Sequence, residues 1–151
     1  MKIRTIACSF ALFCGFAQAQ GAFTTAADAI EYRQAAFMLI KENFADMGAM
    51  MRNKKPMDAA AFTQRAQDLA RLAPIPFSAF KIANSVGGNS AALATVWSQA
   101  NEFNHIAMAF EKDANALALA SRTEEDPAAL RQAFGAVAKH CKGCHQQFKA
   151  D

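Results

Sequence analysis

Apolar side chains recur along much of this chain three and four positions apart, the spacing of an α-helix that buries one face. In the first such stretch Ile30, Phe37, Phe44 and Met51 stand seven apart, and Arg33, Ile40 and Met47 fill the places between them. Thr25 with Asp28 has the form of a capping box, so a long helix is predicted from near Thr25. Gly48 and the Asn53 to Pro56 segment weaken and then stop it. Arg33 is a cation in an apolar seam; its aliphatic stem can line the seam while its head reaches outward. A second helix is predicted from Met57 to about Ala73, with Phe62, Ala66, Leu69 and Ala73 inward, ended by Pro74 and Pro76. A third is predicted after Asn89 or Ser90, both good N-caps. Its seam is Leu93, Val96, Ala100, Phe103, Ala107, Phe110, Ala114 and Leu117, flanked by Trp97 as a packing residue. Asp126-Pro127 combines a cap with a first-turn proline, and Thr123 offers an alternative cap. Leu130, Phe134, Val137, Cys141, Cys144 and Phe148 carry the fourth stripe.

Residues 74–90 form one long irregular connection. Its Ile75, Phe77 and Phe80 predict that it packs down on the helices, with a short helical piece around Ser78 to Ala83 before the Gly87-Gly88 pair. Single-striped helices must bury their stripes against one another. The predicted class is therefore all-α, an antiparallel up-down-up-down four-helix bundle. Neither half has a core of its own, so 151 residues make one domain. Abundant Ala and only 4 Pro agree with helix over sheet.

The first 19 residues are set apart from that domain. Lys2 and Arg4 precede an apolar run from Ile6 to Phe16, and Ala17-Gln18-Ala19 fits a small-x-small cleavage site. This is the layout of a secretory signal peptide; the run is short for a membrane span. Residues 20–151 are then the mature domain, expected in the periplasm with no integral membrane segment. Of 16 Lys and Arg, two leave with the signal, so 14 face 13 Asp and Glu. No basic block stands out, which argues against nucleic-acid binding. Cys8 and Cys14 leave as well, so Cys141 and Cys144 remain. Three positions apart near one end, they would close no useful loop as a disulfide.

Cys141-Lys142-Gly143-Cys144-His145 is the attachment pattern of c-type haem. The i, i+3 relation puts both thiols on one helical face, each able to add to a porphyrin vinyl group, and His145 can bring an imidazole nitrogen to the iron. The other uses of such a pair fit less well. A thioredoxin-like dithiol sits at the first turn of a helix after a strand, whereas this pair closes the last helix of a helical chain. Zinc would need a fourth ligand, from His105 or His140 for example. Arg33, Phe37 and Ile40 on the first helix are candidates to roof the iron. Phe37 has no lone pair, so beneath it the sixth position stays vacant or admits a small gas; Met38 is the competing sixth ligand. Arg33 is a candidate partner for a haem propionate. Lys149 lies one turn beyond His145.

With these residues in view, the chain resembles the cytochrome c′ family, the high-spin four-helix haem proteins of bacteria. The likeness rests on the late run from Cys141 to Lys149, the early Tyr32-Arg33-Gln34-Ala35-Ala36-Phe37, and more weakly Ile75-Pro76-Phe77 and Val96-Trp97-Ser98. It implies one covalent haem c per chain, five-coordinate through His145. It implies Phe37 as the distal shield, where the family often has Leu, and Arg33 and Gln34 near the propionates. Phe148 and Lys149 fall on the proximal side, with Lys149 where the family usually has Arg. It also implies a homodimer that binds nitric oxide and in some cases carbon monoxide, with electron transfer to an unidentified redox partner. A true enzyme is not indicated: no polar acid–base group is evident over the iron.

Overall fold

The computed structural model describes residue 23, residues 25–82, 85–123 and 126–150; the predicted leader, the cleavage boundary and Ala83 lie outside them. Four long helices carry the fold: α1 (Ala26–Met51), α2 (Ala59–Leu72), α4 (Ala100–Thr123) and α5 (Pro127–Phe148). A 3₁₀ segment, η1 (Ile75–Lys81), and a single turn, α3 (Thr95–Ser98), lie between α2 and α4.

The caps follow from local chemistry. Thr25 Oγ1 accepts from the Asp28 N–H at 3.1 Å while an Asp28 carboxylate oxygen accepts from the Thr25 N–H at 2.9 Å, the reciprocal capping box. Asp58 caps α2 through the Ala61 N–H at 3.0 Å, so this helix starts two residues later than predicted. Asp126 caps α5 through the Ala128 N–H at 2.8 Å, with Pro127 in the first turn.

Neighbours in the bundle run antiparallel. Arg65 on early α2 pairs with Asp46 on late α1 at 3.1 Å. Thr63 on early α2 donates to the Ser121 carbonyl on late α4 at 2.7 Å. Phe103 on early α4 meets Phe148 at the end of α5 edge to face, 5.2 Å between centroids. The main core fills one end, with Met47, Met50, Phe62, Leu69, Phe110, Leu117 and Val137 buried together. There α1 and α5 close through Phe44 stacked on Phe134, 4.3 Å apart and 2° from parallel. A smaller cluster of Val96, Phe103 and Phe148 sits at the other end, backed by Phe77, Phe80 and Trp97.

Three expectations need correction. The inward row of α1 is Ala29, Arg33, Ala36, Ile40, Asn43, Met47 and Met50. Ile30 and Phe44 are only half-buried and Phe37 is exposed. Arg33, Ile40, Met47 and Met51 are inward as expected, but Ala29, Ala36 and Asn43 take the places expected of Ile30, Phe37 and Phe44, because small Ala29 and Ala36 let the neighbouring elements approach closely while the bulkier side chains flank the contact. The helical piece in the long connection begins at Ile75 rather than Ser78 and is 3₁₀, with Pro74 and Pro76 at its start. The third helix does not run from residue 90. Gln99 (φ −119°, ψ 42°) interrupts it after one turn, and Leu93 and Ala100 are exposed. Residues 91–93 instead lie against the chain end: the Leu93 N–H donates to the Phe148 carbonyl at 2.9 Å and the Ala150 N–H to the Ala91 carbonyl at 2.8 Å. Gly87 and Gly88 turn the chain just before, at φ 84° and 58°, where a side chain would strain the backbone.

Candidate functional site

Away from the Phe44–Phe134 stack, α1 and α5 separate around a cavity of ≈ 610 Å³, within the range of cofactor pockets. The late turns of α5 supply Cys141, Cys144, His145, Phe148 and Lys149 to its lining. The middle of α1 supplies Arg33, Gln34, Phe37, Met38, Ile40 and Phe44, and η1 supplies Phe77 and Phe80. Every site residue singled out in the sequence thus lines one space. Cys141 packs on the main core and Cys144 on the smaller cluster, so the thiol pair spans the seam between the two. The two cysteines form no disulfide.

Electrostatics keep those thiols protonated. Burial raises the pKa of Cys141. Burial, then the proximity of Cys141, pushes Cys144 up to about 11. Before attachment they are therefore poor redox nucleophiles at neutral pH. No group of three or more His, Cys, Asp and Glu among the described residues could hold a metal ion, so the zinc alternative finds no ligand set there. His145 is exposed at the cavity mouth. Its pKa is lowered, chiefly by partial burial and then by the charge of Lys149, which favours the neutral, ligating imidazole.

Arg33 is 2% exposed and does not reach outward as its seam position predicted. It donates to Ser85 Oγ at 2.7 Å, to the Ser85 carbonyl at 2.6 Å and to Ser90 Oγ at 2.6 Å. Its guanidinium lies 4.4 Å from the Phe80 ring centroid. Burial without a carboxylate partner lowers its pKa, yet a guanidinium stays charged across the physiological range. Three of its five N–H donors are used in these bonds, and two remain for an anion at the cavity edge. Gln34 donates to the Asn89 carbonyl at 2.5 Å, fixing the loop above it. The Phe37 ring meets Phe77 edge to face at 6.0 Å and lies 6.3 Å from Phe80. Met38 is 62% exposed, at the outer margin of the lining. Phe148 is buried, while Lys149 is exposed and donates to the neighbouring Ala150 carbonyl at 2.9 Å.

Sequence patterning missed several parts of this wall. Phe77 and Phe80 reach it only because η1 folds back, anchored by the Trp97 indole N–H donating to the Phe80 carbonyl at 2.9 Å. Ser85 carried no signal in a loop with no periodicity. His140, considered from the sequence as a possible fourth zinc ligand, lines the cavity, with Nε2 2.8 Å from Asp113 Oδ2.

The residues fit a haem. Aromatic and aliphatic walls suit a flat macrocycle, the buried cation of Arg33 at one edge suits its carboxylates, and two neutral thiols beside an imidazole are the set that attaches and ligates it.

The family model for "Cytochrome C'" matches residues 28–149. The cytochrome c' of Rubrivivax gelatinosus is 36% identical over 127 residues, 84% of this chain and 98% of that relative. The structure of cytochrome c prime from Shewanella frigidimarina is 49% identical, covers 85% of this chain and 99% of its own, and superposes with a TM-score of 0.83. A nitric oxide-bound ferrous variant of the Alcaligenes xylosoxidans protein, 32% identical, covers 85% of this chain and 98% of its own with a TM-score of 0.77; another variant of that protein was solved with carbon monoxide. By a match across nearly all the described residues and by likeness in both sequence and fold, this chain belongs to the cytochrome c′ family, whose members carry covalently attached haem c, and Cys141 and Cys144 are present in its attachment motif.

Proposed function

We propose that this chain is exported, loses residues 1–19, and works in the periplasm as a five-coordinate haem protein that binds nitric oxide reversibly. The observation that carries this is the Phe37 ring packed on Phe77 and Phe80 within the cavity that His145 borders. That wall offers hydrocarbon and no lone pair. His145 is the protein ligand; Cys141 and Cys144 fix the ring; Arg33 and Gln34 hold its carboxylate edge; Phe148 and Lys149 flank the His145 side. Bound haem supplies an iron centre able to take a diatomic gas or to cycle one electron. Phe37 would shield the bound group from water and strong ligands, and Arg33 is held by Ser85 and Ser90. The hydrocarbon wall of Phe37, Phe77 and Phe80 would offer oxygen no hydrogen bond, whereas nitric oxide does not depend on one. The gas complexes of the Alcaligenes xylosoxidans protein support the same use here.

An optical titration of the reduced protein tests it. Nitric oxide and carbon monoxide should each change the spectrum, and Met38→Ala should leave the unliganded spectrum as it was. A low-spin spectrum that ignores carbon monoxide and is lost in Met38→Ala would replace this reading with a six-coordinate electron carrier. Mass spectrometry of the exported protein should give an N-terminus at Gln20 and one haem adduct. Exposed Tyr32 and Leu39 on α1 supply an apolar face for a homodimer, which light scattering would detect.

A further inference from the structure

We propose that His140 and Asp113 form a redox-linked proton-binding site, so that one-electron reduction of the protein draws a proton from solvent onto His140. This rests on the haem assignment and extends it to residues that play no part in attachment or ligation.

His140 shares the cavity lining with Cys141, Cys144 and His145. Five residues before His145, it sits about 7.5 Å from it along the helix axis. Its side chain is 24% exposed and that of Asp113 is 30% exposed, with 2.8 Å between Nε2 and Oδ2. The pair is thus half-buried at the cavity margin. An ionised carboxylate only accepts hydrogen bonds. Asp113 therefore fixes the hydrogen on Nε2 in both protonation states and leaves Nδ1 as the titrating atom. On α4 the facing charge is Asp113. Across the cavity on α1 it is Lys41, held 3.3 Å from Glu42. On α5 itself Lys139 and Lys142 are exposed neighbours, and Arg33, His145 and Lys149 border the same space. That surrounding is rich in cations, so Asp113 is the group that makes a further positive charge on His140 tolerable.

An external one-electron donor, dithionite or a mediator dye in the laboratory, lowers the charge of the cavity by one. His140 then binds its proton more tightly, by about tenfold for charges on the order of 10 Å apart at an effective dielectric near 20. The balance is one electron from the donor and up to one proton from water. By reciprocity the reduction potential rises as pH falls.

The test uses the haem-loaded protein in weakly buffered solution between pH 5 and 8, where imidazoles titrate. Proton uptake on reduction is followed with an indicator dye, and the midpoint potential is followed spectroelectrochemically. Wild type should take up a fraction of a proton per electron, and its potential should shift by a total of ~59 mV, the equivalent of tenfold for one electron. His140→Gln should lose that share of uptake, and Asp113→Asn should move it to lower pH. Equal proton uptake and equal potential curves in wild type and His140→Gln would overturn the proposal. Covalent haem is checked by mass in every sample. Its absence from wild type would defeat the haem assignment itself, and if only His140→Gln fails to fold, an unmoved curve in Asp113→Asn overturns the proposal in its place.

Discussion

Cys144 and His145 are adjacent, yet the fold pulls their proton affinities in opposite directions. The buried Cys144 thiol rises from 9.0 to about 11, so in that interval the folded chain holds a proton that the unfolded chain has released. Before haem is attached, stability should therefore decline as pH climbs from 9.0 toward about 11. His145 is lowered by partial burial and by Lys149. There the unfolded chain takes up the proton first, and stability should decline as pH falls through the imidazole range. Urea midpoints of haem-free protein across pH should fall at both ends; a midpoint unchanged above pH 9 would contradict the burial of Cys144. Iodoacetamide should alkylate these thiols slowly at pH 7, because the thiolate is the reactive form. The motif itself was plain in the sequence. The placement of Arg33 was not: its partners Ser85 and Ser90 lie 52 and 57 residues away, in a loop where no periodicity marks a position as inward.

Among the helices, α1 is the one whose inward face the hydrophobic pattern misplaced. Large residues at Ile30, Phe37 and Phe44 drew the seam, but Ala29 and Ala36, 0% and 6% exposed, make the contact. One of the two rows moves by a residue while Arg33, Ile40 and Met47 stay inward, which turns the face by about 50°, half of the ~100° per residue. A substitution series separates the two assignments. Ala36→Leu should overpack α1 against its neighbours and cost about 1–3 kcal/mol. Leu39→Ala, at a 53% exposed site, should stay within about 0.5 kcal/mol. Chemical denaturation of the haem-loaded protein measures both, and a larger loss in Leu39→Ala than in Ala36→Leu would restore the first seam. The other helices were legible because their largest apolar residues are also their closest-packed ones: Phe62 and Leu69 in α2, Phe110 and Leu117 in α4, Phe134 and Val137 in α5. The break at Gln99 escaped notice because the apolar spacing continues through it. Pairing of residues 91–93 with the chain end decides that geometry.

The whole molecule is packed unevenly along its length. One end is filled by the main core and closed by the Phe44–Phe134 stack, and the other opens into the cavity between α1 and α5. Without haem that space would forfeit dispersion contacts, so in the haem-free chain local openings should concentrate there. In haem-free chain, amide exchange should be faster at 33–40 and 141–148 than at 62–69, and haem attachment should narrow the difference. Uniform exchange along all four helices would argue against this uneven packing. Phe134→Ala should cost about 3–5 kcal/mol, because it removes the ring stacked on Phe44 between α5 and α1. The helical class, the caps at Thr25 and Asp126 and the attachment motif could be read from the chain alone, since each depends on residues within a few positions of one another. Only the tertiary structure decided which face of α1 turns inward, what holds Arg33, and that His140 meets Asp113 beside the cavity. Those outcomes depend on contacts between distant elements, which neither spacing nor propensity encodes.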